Sequence, residues 1–203
     1  MALFGFNKAK TLASAEKCVQ QGKLSNAIAE YEKIVEKDPK DLTVLNTIGD
    51  LYGRLGQGEK AGEYFRKVGD TYASDGFTVK AIAMYKKLTK LNPGAISVVQ
   101  RLAELYTQQG LYNDARQQYL ILADSFIKTN DVANATRIFQ KMLEMDPDNT
   151  SLQSKLADLY IKSGKKEEAR DIHYRAAHSL LERGSVELAD QSLEKVLHLE
   201  PTN

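Results

Sequence analysis

Acidic residues recur one position after a small residue along most of this chain. Glu16, Asp50, Asp70, Glu104, Asp124 and Asp158 each follow alanine or glycine, and His178 takes the same place after Ala177. A carboxylate repeated in this way is a positional feature before it is a catalyst. Set on successive elements that share a face, such a row would form an acidic ladder. The alternative is solvated pairing, because Arg66 and Asp70, Arg101 and Glu104, and Lys155 and Asp158 stand three or four apart. Pairs at that spacing contribute only about 0.2–0.5 kcal/mol each on a helix. Both readings stay open.

Other candidates for chemistry fall away one by one. The string GRLGQGEKAG, Gly53 to Gly62, offers glycines ahead of a helix start, where an anion could bind. No strand precedes it and the Gly-Lys-Ser/Thr ending is missing, so a hairpin turn accounts for it. None of His173, His178 and His198 pair at the i, i+4 spacing that sets two metal ligands on one helical face. Cys18, the single cysteine, excludes an internal disulfide and reads as a core thiol. With no nucleophile and base, metal cluster or cofactor loop, the expectation is no enzyme, no cofactor and no metal.

The elements that would position the acidic row are repeated ones. The four prolines, Pro39, Pro93, Pro147 and Pro201, lie 54 residues apart and follow similar phrases. This predicts one domain over 1–203, made of units 1–39 (partial), 40–93, 94–147 and 148–201. Apolar residues recur at three and four, the helical period, with helices expected over about 41–55, 58–75 and 77–91 in the first complete unit. Proline stops the third helix of each unit. Gly22, Gly56, Gly76, Gly110, Gly164 and Gly184 mark equivalent hairpin turns. A seventh turn carries Asn130, the next residue most tolerant of a left-handed backbone.

These residues resemble the tetratricopeptide repeat. Its helix-turn-helix pattern is matched in order by Phe65, Val68, Gly69, Tyr72, Gly76, Ala81, Tyr85 and Pro93. A second copy, without the proline, starts earlier at Leu45, Ile48, Gly49, Tyr52, Gly56, Ala61 and Phe65, so Phe65 serves both. Seven overlapping copies follow with starts alternating by 34 and 20 residues, and the middle helix of each unit is shared between two hairpins. The end copies are weaker, with Thr11, Ser14 and Cys18 in the first and His173, Ala176 and Leu180 in the last. His173 falls in an aromatic slot, which predicts a packed ring. Alanines at 27, 61, 81, 115, 135, 169 and 189, with Ala or Gly at 15, 49, 69, 103, 123, 157 and 177, predict close helix approach. Tyr52, Tyr72, Tyr106, Phe126 and Tyr160 are expected to fill the space beside these small residues.

The resemblance implies an all-α fold, a right-handed α-solenoid of about eleven antiparallel helices, and a concave groove that takes a peptide or protein partner. On that basis the groove set is Asn46, Asp50, Arg54, Arg66, Asp70, Gln100, Arg101, Glu104, Gln108, Asp124, Asp158 and Lys162. The family's two-carboxylate clamp is not matched, because Asn46 and Asp50 stand where its lysine and asparagine would be.

With 42% hydrophobic and 27% charged residues and a formal charge of +1, nothing favours nucleic acid or anionic lipid as partner. The opening residues are too short an apolar run for a signal peptide, and no stretch approaches a membrane span, so a cytoplasmic location is expected. Leu3, Phe4 and Phe6 form a short apolar patch expected to cover the first helix, with Asn7 as its cap. Val186, Leu188, Leu193, Val196, Leu197 and Leu199 are spread around the last helix. Either a further copy follows, or this end meets another molecule, so self-assembly through uncapped ends, including a homo-oligomer through the C-terminal helix, is the alternative function to a scaffold.

Overall fold

The computed structural model describes residues 6–199. The expectations placed on Leu3, Phe4 and Pro201 lie outside the described residues, while Phe6 is 41% exposed. Two compact units divide the chain, Met1–Gln109 and Gly110–Asn203. The first holds α1 (Lys8–Gln20), α2 (Leu24–Lys37), α3 (Leu42–Arg54), α4 (Gly58–Ser74), α5 (Thr78–Leu91) and α6 (Ile96–Gln108). The second holds α7 (Tyr112–Lys128), α8 (Val132–Met145), α9 (Thr150–Lys162), α10 (Lys166–Glu182) and α11 (Val186–Leu199). Every described element is thus an α-helix, and within each unit each helix packs against the next in sequence.

Helices α3, α6 and α9 begin at Leu42, Ile96 and Thr150, a constant step of 54 residues. The same step relates α4, α7 and α10, and also α5, α8 and α11. In the first unit α4 packs on both α3 and α5, and in the second α10 packs on both α9 and α11. A middle helix therefore serves two hairpins. Isolated helices of 13–17 residues are marginal in water, so this packing is what holds them folded.

Local sequence sets the ends. Asn7, Asp41, Asp131 and Asn149 each accept a hydrogen bond from the backbone N–H three residues on, satisfying a donor that the first helical turn leaves free. At the hairpin turns the backbone turns left-handed, with φ of 72° at Gly56 and 57° at Asn130. The same seven positions singled out by the repeat have positive φ, and Asn130 is the one non-glycine among the described residues. Gly56→Ala is expected to lower stability by about 1–2 kcal/mol, the cost of placing a Cβ in that conformation. A urea midpoint equal to wild type would contradict this.

The close approach is built into the helix faces. All seven alanines from Ala27 to Ala189 are 0% exposed. A Cβ added at Gly49 would lie 2.7 Å from Cε1 of Phe65, and one added at Gly69 would lie 3.0 Å from Cε2 of Tyr85. The rings that fill these spaces come from the following helix, sixteen residues on. Of the rings expected there, Tyr106 is buried, whereas Tyr52, Tyr72, Phe126 and Tyr160 are only half-buried. A residue three positions further along the same helix lies on nearly the same face, but the tight contact belongs to the neighbour that crosses it.

Candidate functional site

Asn46 and Asp50, one turn apart on α3, meet a single cation. Lys87 of α5 donates to Asn46 Oδ1 at 2.9 Å and to Asp50 Oδ1 at 2.6 Å, and its Nζ stands 4.7 Å from the centre of the Phe65 ring. Asp50 is therefore part of a cross-helix pair. The pair is partly exposed, with side chains 31% and 48% accessible, so its net contribution is on the order of 1 kcal/mol or less.

Asp70, twenty residues on, is engaged differently. The hydroxyl of Tyr85 donates to its Oδ1. Burial, and then that hydrogen bond to a carboxylate, push the Tyr85 phenol up to about 12, while Arg101 and Arg66 nearby pull the other way. Tyr85 and Lys87 are two residues apart on α5, about 200° around a helix that advances 100° per residue. Asp50 and Asp70 thus lie on opposite sides of α5. Consecutive acids of the row are met by different side chains of α5 in this unit.

Two clefts in the first unit collect these groups. On one side Asp50 and Arg54 join Glu16, Thr47 and Leu51 above Tyr31, around a space of about 320 Å³. The other, about 830 Å³, runs between α4 and the start of α6, with Leu88, Leu91 and Val98 as apolar lining and Glu63, Arg66 and Asp70 among its polar residues. Gly58 and Gly62, a turn apart, present bare backbone to it.

On α6, Gln100 donates to Glu104 at 3.1 Å and Arg101 pairs with Glu104 at 3.5 Å, while Gln108 is exposed near the helix end. Of the three short-range pairs expected, this is the one formed. Asp70 takes the Tyr85 hydroxyl, and Lys155 lies 5.9 Å from the centre of the Phe139 ring.

In the second unit Asp124, Asp158 and Lys162 are exposed. Lys195 repeats the position of Lys87 and donates to Ser154, the counterpart of Asn46, at 3.2 Å. His173 is 2% exposed, the packed ring that the repeat requires, and burial holds its pKa below the ordinary histidine value. Cys18 is half-buried against the first core cluster. The site residues that sequence reasoning missed are Lys87 and Tyr85. A signal for the first was present, since lysine recurs at 33, 87, 141 and 195, the 54-residue step again.

Two family models described as tetratricopeptide repeat match residues 42–68 and 126–173. The chain is 26% identical over 204 residues to the tetratricopeptide repeat and J domain-containing co-chaperone DNJ1 of Fusarium oxysporum, covering 94% of this chain and 33% of that protein. It is 24% identical over 230 residues to the TPR repeat-containing protein YpiA of Bacillus subtilis, covering 92% and 54%. It thus spans a third to about half of these relatives. Among solved structures, the thermophilic TPR protein TTC0263 of Thermus thermophilus matches at 16% identity and a TM-score of 0.34, covering 94% of this chain and 100% of that one.

Proposed function

We infer that this chain, a tetratricopeptide-repeat protein, is a non-catalytic scaffold that holds a segment of a protein partner in the clefts between its helices. Repeats of this family generally mediate protein–protein interaction, and no described helix is long and apolar enough to cross a membrane. One observation carries the reading most directly. The cleft of about 830 Å³ beside α4 combines apolar walls with both signs of charge, the composition that lets a peptide bury an apolar side chain while fixing its register through polar contacts. Arg66 and Asp70 act there. Asn46, Asp50 and Arg54 offer a second set on the other side of α5; Gln100, Arg101, Glu104 and Gln108 add polar groups within the first unit, and Asp124, Asp158 and Lys162 supply those of the second by itself. A cytoplasmic setting suits this role.

Affinity capture from the host tests it. Arg66→Glu with Asp70→Lys is expected to reduce recovery of bound partners tenfold or more, the scale of a lost charged contact worth about 1.4 kcal/mol. Circular dichroism should match wild type. Undiminished recovery of every partner would remove the cleft from the account.

A second reading, self-assembly through an end, is favoured by one feature. Val186, Leu188 and Leu197 of α11 are 63%, 51% and 60% exposed. Light scattering separates the two: a monomer at micromolar concentration leaves the scaffold.

A further inference from the structure

Tyr52 on α3 and Tyr64 on α4 stack with ring centres 5.7 Å apart, and their hydroxyls donate to the Glu32 carboxylate of α2 at 3.2 and 3.5 Å. Leu45 of α3 is fully buried. The residues 108 positions later, two repeats along, are Tyr160, Ile172, Gln140 and Gln153. Half of the arrangement persists, because Gln140 Nε2 donates to the Tyr160 hydroxyl at 2.8 Å. The second ring is gone. Where Tyr64 would stand there is Ile172, and a cleft of about 530 Å³ lies open between α8, α9 and α10.

Gln153 is the second observation. It lines this cleft, is 7% exposed, and donates through Nε2 to the Pro147 carbonyl at 2.8 Å. A carbonyl can only accept, which fixes the orientation of the amide. Its Oε1 is shielded from water and has no hydrogen-bond partner. Buried acceptors are normally paired, and an unpaired one costs stability. The other repeats avoid that cost with Leu45 and Val99, both buried, at this position. A polar group kept where its equivalents are apolar points to a ligand that brings a donor.

We propose that this cleft takes an aromatic side chain from a partner peptide, seated on Tyr160 as Tyr64 is seated on Tyr52, with an acidic residue beside it. Leu143, Leu156 and Ile172 give the ring an apolar bed, and offset stacking on Tyr160 adds to area burial. Gln140 Oε1 accepts a phenol proton as Glu32 does from Tyr64. A peptide N–H becomes the donor that Gln153 lacks once binding turns Oε1 toward the cleft, since that atom is shielded from solvent in the unbound chain. Arg175 borders the cleft with Glu144; its Nε donates to the Asp171 carbonyl at 3.3 Å, which leaves its terminal nitrogens to pair with the ligand's acid on the side away from Glu144. The proposal rests on the scaffold reading and names the partner's chemistry.

The test is an amide NMR titration of the full chain with the capped peptide acetyl-Gly-Ser-Glu-Tyr-Ser-Gly-amide, beside the same peptide with alanine for tyrosine. Shifts should centre on Gln140, Gln153, Tyr160 and Ile172, and the alanine peptide should bind at least tenfold more weakly. Ile172→Tyr supplies the missing ring from within and should abolish the shifts without lowering the melting temperature. Gln153→Leu should raise the melting temperature and weaken binding. An equal response to the alanine peptide, or unchanged binding by Gln153→Leu, overturns the proposal. Shifts confined to Arg66 and Asp70, or to Asp50 and Arg54, overturn it too while leaving the scaffold reading intact.

Discussion

Ala81→Leu should lower the unfolding free energy by about 1–3 kcal/mol, the usual cost of overpacking a filled core. For a chain of this size that is roughly 2–4 °C in melting temperature per kcal/mol. Ala81 is 0% exposed, as are its six counterparts, so three added carbons have no free volume to enter. Two glycine substitutions sharpen the expectation, because helix propensity alone favours alanine by about 1 kcal/mol at both. At Gly49 the new Cβ would sit 2.7 Å from the Phe65 ring, and the neighbour must move. At Gly62 it would sit 3.6 Å from a Leu88 methyl, an ordinary contact. Gly49→Ala is therefore expected to destabilise and Gly62→Ala to stabilise, with Gly62→Ala shifting the melt upward by about 0.5–1 kcal/mol equivalent. The same sign at both sites would show that helix spacing yields freely, and the close-packing account would fail.

That contrast also separates what the sequence carries openly from what it conceals. Turn positions were legible because each needs a residue type: positive φ demands glycine or, at Asn130, its nearest substitute, and the chain obeys at every hairpin. Helix limits followed from the same punctuation. Which ring fills which gap was not legible. Tyr52 and Phe65 both stand near Gly49 in the pattern, and only the crossing of α3 by α4 decides that Phe65 makes the tight contact. The acidic row left its two readings open for a related reason. Its spacing is regular along the chain, yet Asp50 answers to Lys87 and Asp70 to Tyr85, on opposite sides of α5. A one-dimensional repeat records that a position is equivalent within its own hairpin. Whether consecutive hairpins face the same way depends on the shared middle helix, and that is a property of packing.

His173 turns the same repeat logic into an acid response. The slot it fills takes Phe65 and Tyr119 in the earlier units, neither of which can be protonated there. Desolvation is the main cause holding its pKa below the ordinary value near 6.5, Lys195 of α11 adds to the depression, and Asp158 of α9 opposes it. As pH falls through 6.5 the unfolded chain takes up the proton first, so it binds more protons than the folded chain and stability drops. The loss begins below the unfolded value and levels off only once the folded histidine is itself protonated. His178 and His198 are exposed and remain in any variant, so a difference between variants isolates the buried ring. His173→Phe restores the ring of the sister units and removes the titrating group. Its melting temperature should decline less than that of wild type between about pH 7.5 and 5, with the gap between the two curves widening only below about 6.5. Parallel curves across that window would mean that His173 reaches solvent when protonated, and that α9, α10 and α11 pack around it less tightly than its 2% exposure implies.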